Sequence, residues 1–133
     1  METNLEIKIK ELVAEANNKF EKLTLLGKRI YEIESTLNKV KYHSPFRMHL
    51  PHLTESSYFS WEPLSDPKNK TWRLFLITED ESKNPLRVAL LEAKVPIRLK
   101  YAKYLELFID AWLEHIKNEK EYIDKTLEKD NGN

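Results

Sequence analysis

The sequence predicts an α+β fold: a long N-terminal helix, a three- to four-stranded antiparallel meander and a long C-terminal helix, the helices forming an antiparallel pair with the sheet at one end. Three observations predict it. Apolar residues keep a heptad spacing in the first third of the chain, prolines and β-favouring residues crowd the middle, and a second helical period opens at Pro96. A chain of 133 residues fits one domain, expected here over 1–133.

The first helix is expected over residues 4–42. Ile9, Ala16, Leu23, Ile30 and Leu37 take position a, and Leu5, Leu12, Leu26, Ile33 and Val40 take position d, with Lys19 the one charged residue at a seam position. A sustained 3.5-residue period argues for a supercoiled helical contact rather than a helix lying on a globule. Gly27 falls at e, where it can bend the helix at about 1 kcal/mol relative to alanine without disturbing the seam. Such a helix is about 55 Å long at ~1.5 Å per residue. A compact domain of this size has a radius of gyration of only about 14 Å, so the free helix ends are expected to project.

The strands are expected within residues 45–92, a stretch that lies in the region holding five of the six prolines. Phe46 to Leu50 reads as a short strand stopped by Pro51, Tyr58 to Trp61 as a second, Thr71 to Ile77 as the strongest and Leu86 to Leu91 as a fourth. The connections are polar and rich in turn formers, which makes a meander the simplest topology. Phe59 and Trp61 share one face, as do Trp72, Leu74 and Leu76. That pattern suits core packing on the second helix better than a stacking platform for single-stranded nucleic acid.

Pro96 suits the first turn of a helix running over 96–129. From Ile97 to Ile116 apolar residues cover roughly half its circumference, more than an ordinary surface helix, and Trp112 is expected to share a core with Trp72. Beyond Ile116 only Tyr122, Ile123 and Leu127 remain apolar among Lys, Glu and Asp, a stripe narrow enough for one partner helix.

The order of a long N-terminal helix, Ser60-Trp61-Glu62-Pro63-Leu64, Thr71-Trp72-Arg73-Leu74-Phe75, and Leu90-Leu91-Glu92-Ala93 leading into Pro96-Ile97-Arg98-Leu99 resembles a class of small uncharacterised bacterial and phage proteins. The resemblance covers most of the chain and implies the fold. It rests on apolar structural positions, lends no activity and carries over no functional residue.

Lysine and arginine number 22 and so do aspartate and glutamate, which removes the broad electrostatic case for nucleic acid or anionic lipid as a partner. The absence of cysteine excludes disulfides and thiolate zinc sites and suits a reducing compartment, so a cytoplasmic location is expected. The first ten residues lack the apolar core of a signal peptide, and no stretch is long and apolar enough to span a bilayer.

Candidate chemistry is sparse. His43, His49 and His52 are the one grouping of possible metal ligands, but Pro45 and Pro51 break the segment and no further ligand is well placed, so ordinary histidines are expected. No nucleophile elbow, phosphate-cradling glycine loop or helical metalloprotease motif is present. The chain is therefore expected to be no enzyme and to carry no cofactor. Arg98, Lys100 and Lys103 open the second helix, where its dipole disfavours cations. In the antiparallel arrangement Lys39 and Lys41 lie near the same end. Residues 28–42 and 96–106 each sum to +2. That end could contact an anion or a nucleic-acid backbone, although Glu32, Glu34, Glu92 and Glu106 are available to pair with it. The function expected is a non-catalytic protein–protein interaction protein that self-associates as a homo-oligomer through coiled-coil-like helices. The alternative is a small nucleic-acid- or anion-binding module using the basic end near the sheet.

Overall fold

The computed structural model describes residues 2–50, 56–64, 71–79 and 86–131, with backbone alone at 130 and 131. It falls into two compact units, Met1–Tyr42 and His43–Asn133. The elements are those of an α+β fold: a long N-terminal helix, a four-stranded antiparallel sheet and a C-terminal helical segment.

In the first unit, α1 spans Asn4–Leu37. It begins where Thr3, in an extended conformation, accepts a hydrogen bond from the Glu6 amide at 3.1 Å through its hydroxyl. That bond satisfies one of the amides a helix start leaves orphaned, and Glu6 in the first turn complements the helix dipole. The helix is continuous through Gly27. It stops short of the expected residue 42 because Asn38 closes it: the Asn38 backbone amide and its side-chain amide both donate to the Glu34 carbonyl. Tighter bonds from Lys39 to Thr36 and from Val40 to Leu37 then carry the chain out of the helix, so Val40, the last seam position, lies outside it.

In the second unit, β1 (Phe46–His49), β2 (Ser56–Pro63), β3 (Trp72–Glu79) and β4 (Leu86–Ala89) pair in sequence order. All three pairings are antiparallel. The fourth strand joins the sheet beside β3, with Phe75 opposite Ala89 and Leu76 opposite Val88. It ends before Leu91 because the chain tightens into a 3-10 turn at Leu90–Glu92 that buries Leu90. The helix expected over 96–129 is two helices, α2 (Val95–Ala102) and α3 (Leu105–Asn131). Pro96 stands in the first turn of α2. Between them Tyr104 donates to the Tyr101 carbonyl, an i→i+3 bond that tightens the chain by part of a turn. Tyr101, Leu105 and Phe108 are all buried across this junction. The Tyr101 hydroxyl lies 3.4 Å from that of Ser57 on β2.

The register sorts the strand residues into two faces. Phe46, Met48, Phe59, Trp61, Leu74, Leu76 and Val88 share one face, and α3 packs there. The Phe108 ring meets Phe46 and Phe59 at centroid distances of 5.6 and 5.7 Å, and Trp112 meets Trp61 at 5.7 Å. Trp72 and Trp112 do contribute to one aromatic cluster, but both are only half-buried. The ring at its centre is Trp61, at 0% exposure. Among the described residues no helix is long and apolar enough to cross a membrane.

Candidate functional site

Tyr58, Phe75, Ile77 and Ala89 lie on the face of the sheet away from α3, where they form a second small buried cluster with Leu64 packed against it. Alternation along the strands sets Arg47, His49, Ser60, Glu62, Arg73, Glu79 and Arg87 among them. An apolar patch is thus interleaved with long cations, whose stems can cover it while their heads reach water.

Two arginines close over this patch and converge on one carboxylate. Arg87 extends from β4 and lays its guanidinium on the Phe75 ring, 3.6 Å from the centroid. Its Nε then donates to Glu62 Oε2 at 2.8 Å, and Nη2 donates to the Pro63 carbonyl at 3.3 Å. Arg47 extends from β1 over the Tyr58 ring at 4.9 Å and donates from Nη2 to Glu62 Oε1 at 2.8 Å. Its Nε reaches Ser60 and Glu62 at 3.3 Å, and Nη1 reaches the Tyr58 hydroxyl at 3.3 Å. The Ser60 hydroxyl, fully buried, donates to Glu62 Oε1 at 2.7 Å. Tyr58 passes its own hydroxyl hydrogen to Glu79 at 3.0 Å. Arg73 on the same face pairs with Glu92 at 3.3 Å.

The electrostatics follow from these bonds. Partial burial pushes the Glu62 carboxyl up, but the Ser60 hydroxyl and the two guanidiniums outweigh it and hold the group below the usual carboxylate range. Its bond to Glu62 raises Arg47 further above neutrality. Burial, then the bond to Glu79, raises Tyr58. A carboxylate held low and met by three donors is a poor general base.

The basic residues expected to form a site are placed as follows. Lys39 and Lys41 are exposed in the segment after α1, in the first unit. In the second unit, Arg98 is half-buried on α2, with Nε buried and without a hydrogen-bond partner among the described residues. Lys100 and Lys103 are exposed, each with its ammonium over the ring of the next residue, Tyr101 at 5.4 Å and Tyr104 at 5.2 Å. Those three follow one another along α2 and the turn beyond it, and no shared polar partner joins them among the described residues. His43 stacks on Trp72 at 5.1 Å and accepts the Trp61 indole N–H at Nδ1, 3.4 Å away. His49 lies against Tyr58 instead, at 5.3 Å. His52 lies outside the described residues, among which no group of three potential metal ligands occurs.

The helices hold a second feature. On α1, Leu5, Ile9 and Leu12 are exposed seam residues, and so is Phe20 beside the seam. Farther along, Leu23, Leu26, Ile33 and Leu37 are half-buried and Ile30 is fully buried. On α3, Leu113, Ile116, Ile123 and Leu127 are exposed at three- and four-residue spacings, with Lys120 filling the gap in the row. Each stripe therefore carries one lysine within its apolar run, at Lys19 and at Lys120.

The arginine face escaped the sequence reading, because alternation sorts residues within a strand and only the register brings those of different strands together. Arg47, Arg73 and Arg87 are mid-strand cations in phase with Tyr58, Ser60 and Glu62 once the register is known. No protein-family model, curated protein or solved structure matches the chain.

Proposed function

We propose that this protein is a non-catalytic, cytoplasmic interaction protein that associates with copies of itself through its long helices. The observation that carries the reading is the exposed seam of α1, Leu5, Ile9 and Leu12 at heptad spacing in a capped helix. An isolated helix gains little from propensity alone and is stabilised chiefly by packing its apolar face. The exposed row on α3 offers a second surface of the same kind, and helices that present such rows can close a four-helix bundle between copies. Lys19 suits this reading, because one polar residue in an apolar seam commonly selects register and oligomer number at a cost in stability.

Light scattering at micromolar concentration tests it. Assemblies heavier than the 15.9 kDa chain are expected, and Ile9→Glu with Leu12→Glu should return the mass to that of the monomer. Lys19→Leu should raise the melting temperature and broaden the range of assemblies. A monomer under all conditions would refute self-association. The competing reading, an anion- or nucleic-acid-binding module built on Arg98, Lys100, Lys103, Lys39 and Lys41, predicts steep weakening with salt, whereas an apolar helix contact responds little.

A further inference from the structure

We propose that the sheet face away from α3 holds a binding site for a phosphate group, formed by the exposed edges of Arg47 and Arg87. The site lies on the sheet face away from α3, and the proposal does not depend on self-association.

Both guanidiniums are already held in place. Arg87 rests on Phe75 and Arg47 on Tyr58, two buried rings, and both are tied to the same carboxylate. Glu62 is itself only 14% exposed and is anchored by the buried Ser60. An exposed arginine ordinarily gives up side-chain entropy when it captures an anion, whereas these two have little left to lose. Their inward donors are committed. Arg47 directs Nε and Nη2 to Glu62 and Nη1 to Tyr58, and Arg87 directs Nε to Glu62 and Nη2 to Pro63. Arg87 Nη1 makes no hydrogen bond among the described residues, and both Nη2 groups retain a second hydrogen.

Two guanidiniums share the one carboxylate of Glu62, and Glu79, the other carboxylate of this network, bonds to the Tyr58 hydroxyl rather than to either arginine. Glu62 does not have to be displaced, because its oxygens face the inner edges and the cations remain 57% and 36% exposed on the outside. A phosphate fits because its terminal oxygens carry the lone pairs and the charge to accept from two guanidiniums at once. Inorganic phosphate and a phosphate monoester share that chemistry.

The full chain, labelled with nitrogen-15, provides the test at constant pH and constant ionic strength set with chloride. As inorganic phosphate, or separately phosphoserine, is titrated in, the Nε–H resonances of Arg47 and Arg87 should shift together and saturate, with that of Arg98 unmoved. Tighter binding of the monoester marks a phosphorylated ligand, and tighter binding of the inorganic ion marks a free one. Arg87→Lys keeps the charge but loses the fork, and should weaken binding by about tenfold, while Lys100→Gln should leave it unchanged. Unmoved or non-saturating Arg47 and Arg87 resonances in the wild-type chain overturn the proposal, whatever the variants do. So does loss of binding in Lys100→Gln.

Discussion

The two faces of the sheet shelter apolar side chains by different physics. On one, Phe59, Trp61 and Leu74 are covered by α3 through ring-to-ring contact with Phe108 and Trp112. On the other, Tyr58, Phe75 and Ile77 are nearly as well hidden, and Arg47 lies over the Tyr58 ring and Arg87 over the Phe75 ring, both tied to Glu62. Helix cover removes water from both partners and depends little on solution conditions. Arginine cover is held by charge, so it should respond to pH, salt and competing anions. Equal burial in a static structure therefore conceals unequal sensitivity.

The largest effect expected is on the helix-covered face. Trp61→Ala removes the central ring of a packed cluster and should cost about 3–5 kcal/mol, read from the urea midpoint at neutral pH. Added salt should leave that loss unchanged. A small loss would mean that Phe108 and Trp112 collapse into the vacated space.

Glu62→Gln should cost less, about 1–2 kcal/mol, since it weakens charge-assisted bonds whose arginine partners are partly in water. The sign of its pH dependence is fixed by the direction of the shift. The folded carboxyl lies below its unfolded value of about 4.3. Its contribution is therefore complete above that value and is lost as pH falls through the lower folded value. Wild type and variant should differ at about pH 6 and converge as pH falls below the lowered folded value, in urea melts at matched ionic strength. A gap that stayed constant with pH would mean that the amide's shape, not its missing charge, accounts for the loss.

The smallest change expected is Thr3→Ala, about 1 kcal/mol of local helix stability. Hydrogen exchange at the Glu6 amide should accelerate, while amides of β2 and β3 keep their rates. That outcome would confine the cap to α1 and leave both sheet faces as they are.

Much of the architecture was legible because it follows from periodicity. The heptad marked α1, and alternation placed Phe59 with Trp61 and Trp72 with Leu74 before any register was known. The helix ends were less so. Asn38 closes α1 by bonding back to Glu34, and a single asparagine near a helix end does not announce that. The break at Lys103–Tyr104 contains neither glycine nor proline, and its backbone stays close to helical values, so the sequence carries no local signal for it. The arginine face was hidden for a different reason. Which charged residues meet is decided by the pairing of four strands, and Arg87 reaches Glu62 only by crossing β3. Strand composition shows cations and anions in plenty; adjacency arises from register.

The aromatic cluster on α3's side of the sheet also determines what optical probes can see. All three tryptophans, Trp61, Trp72 and Trp112, belong to it, and Trp61 touches the other two. Intrinsic emission is consequently a reporter for one part of the chain. The helix over Asn4–Leu37 holds no tryptophan, yet it supplies a large share of the far-ultraviolet helical signal. A fluorescence melt and a circular dichroism melt of the same sample thus interrogate different residues. Coincident curves would mean that α1 unfolds with the sheet, whereas separated curves would date the loss of α1 against the loss of the core.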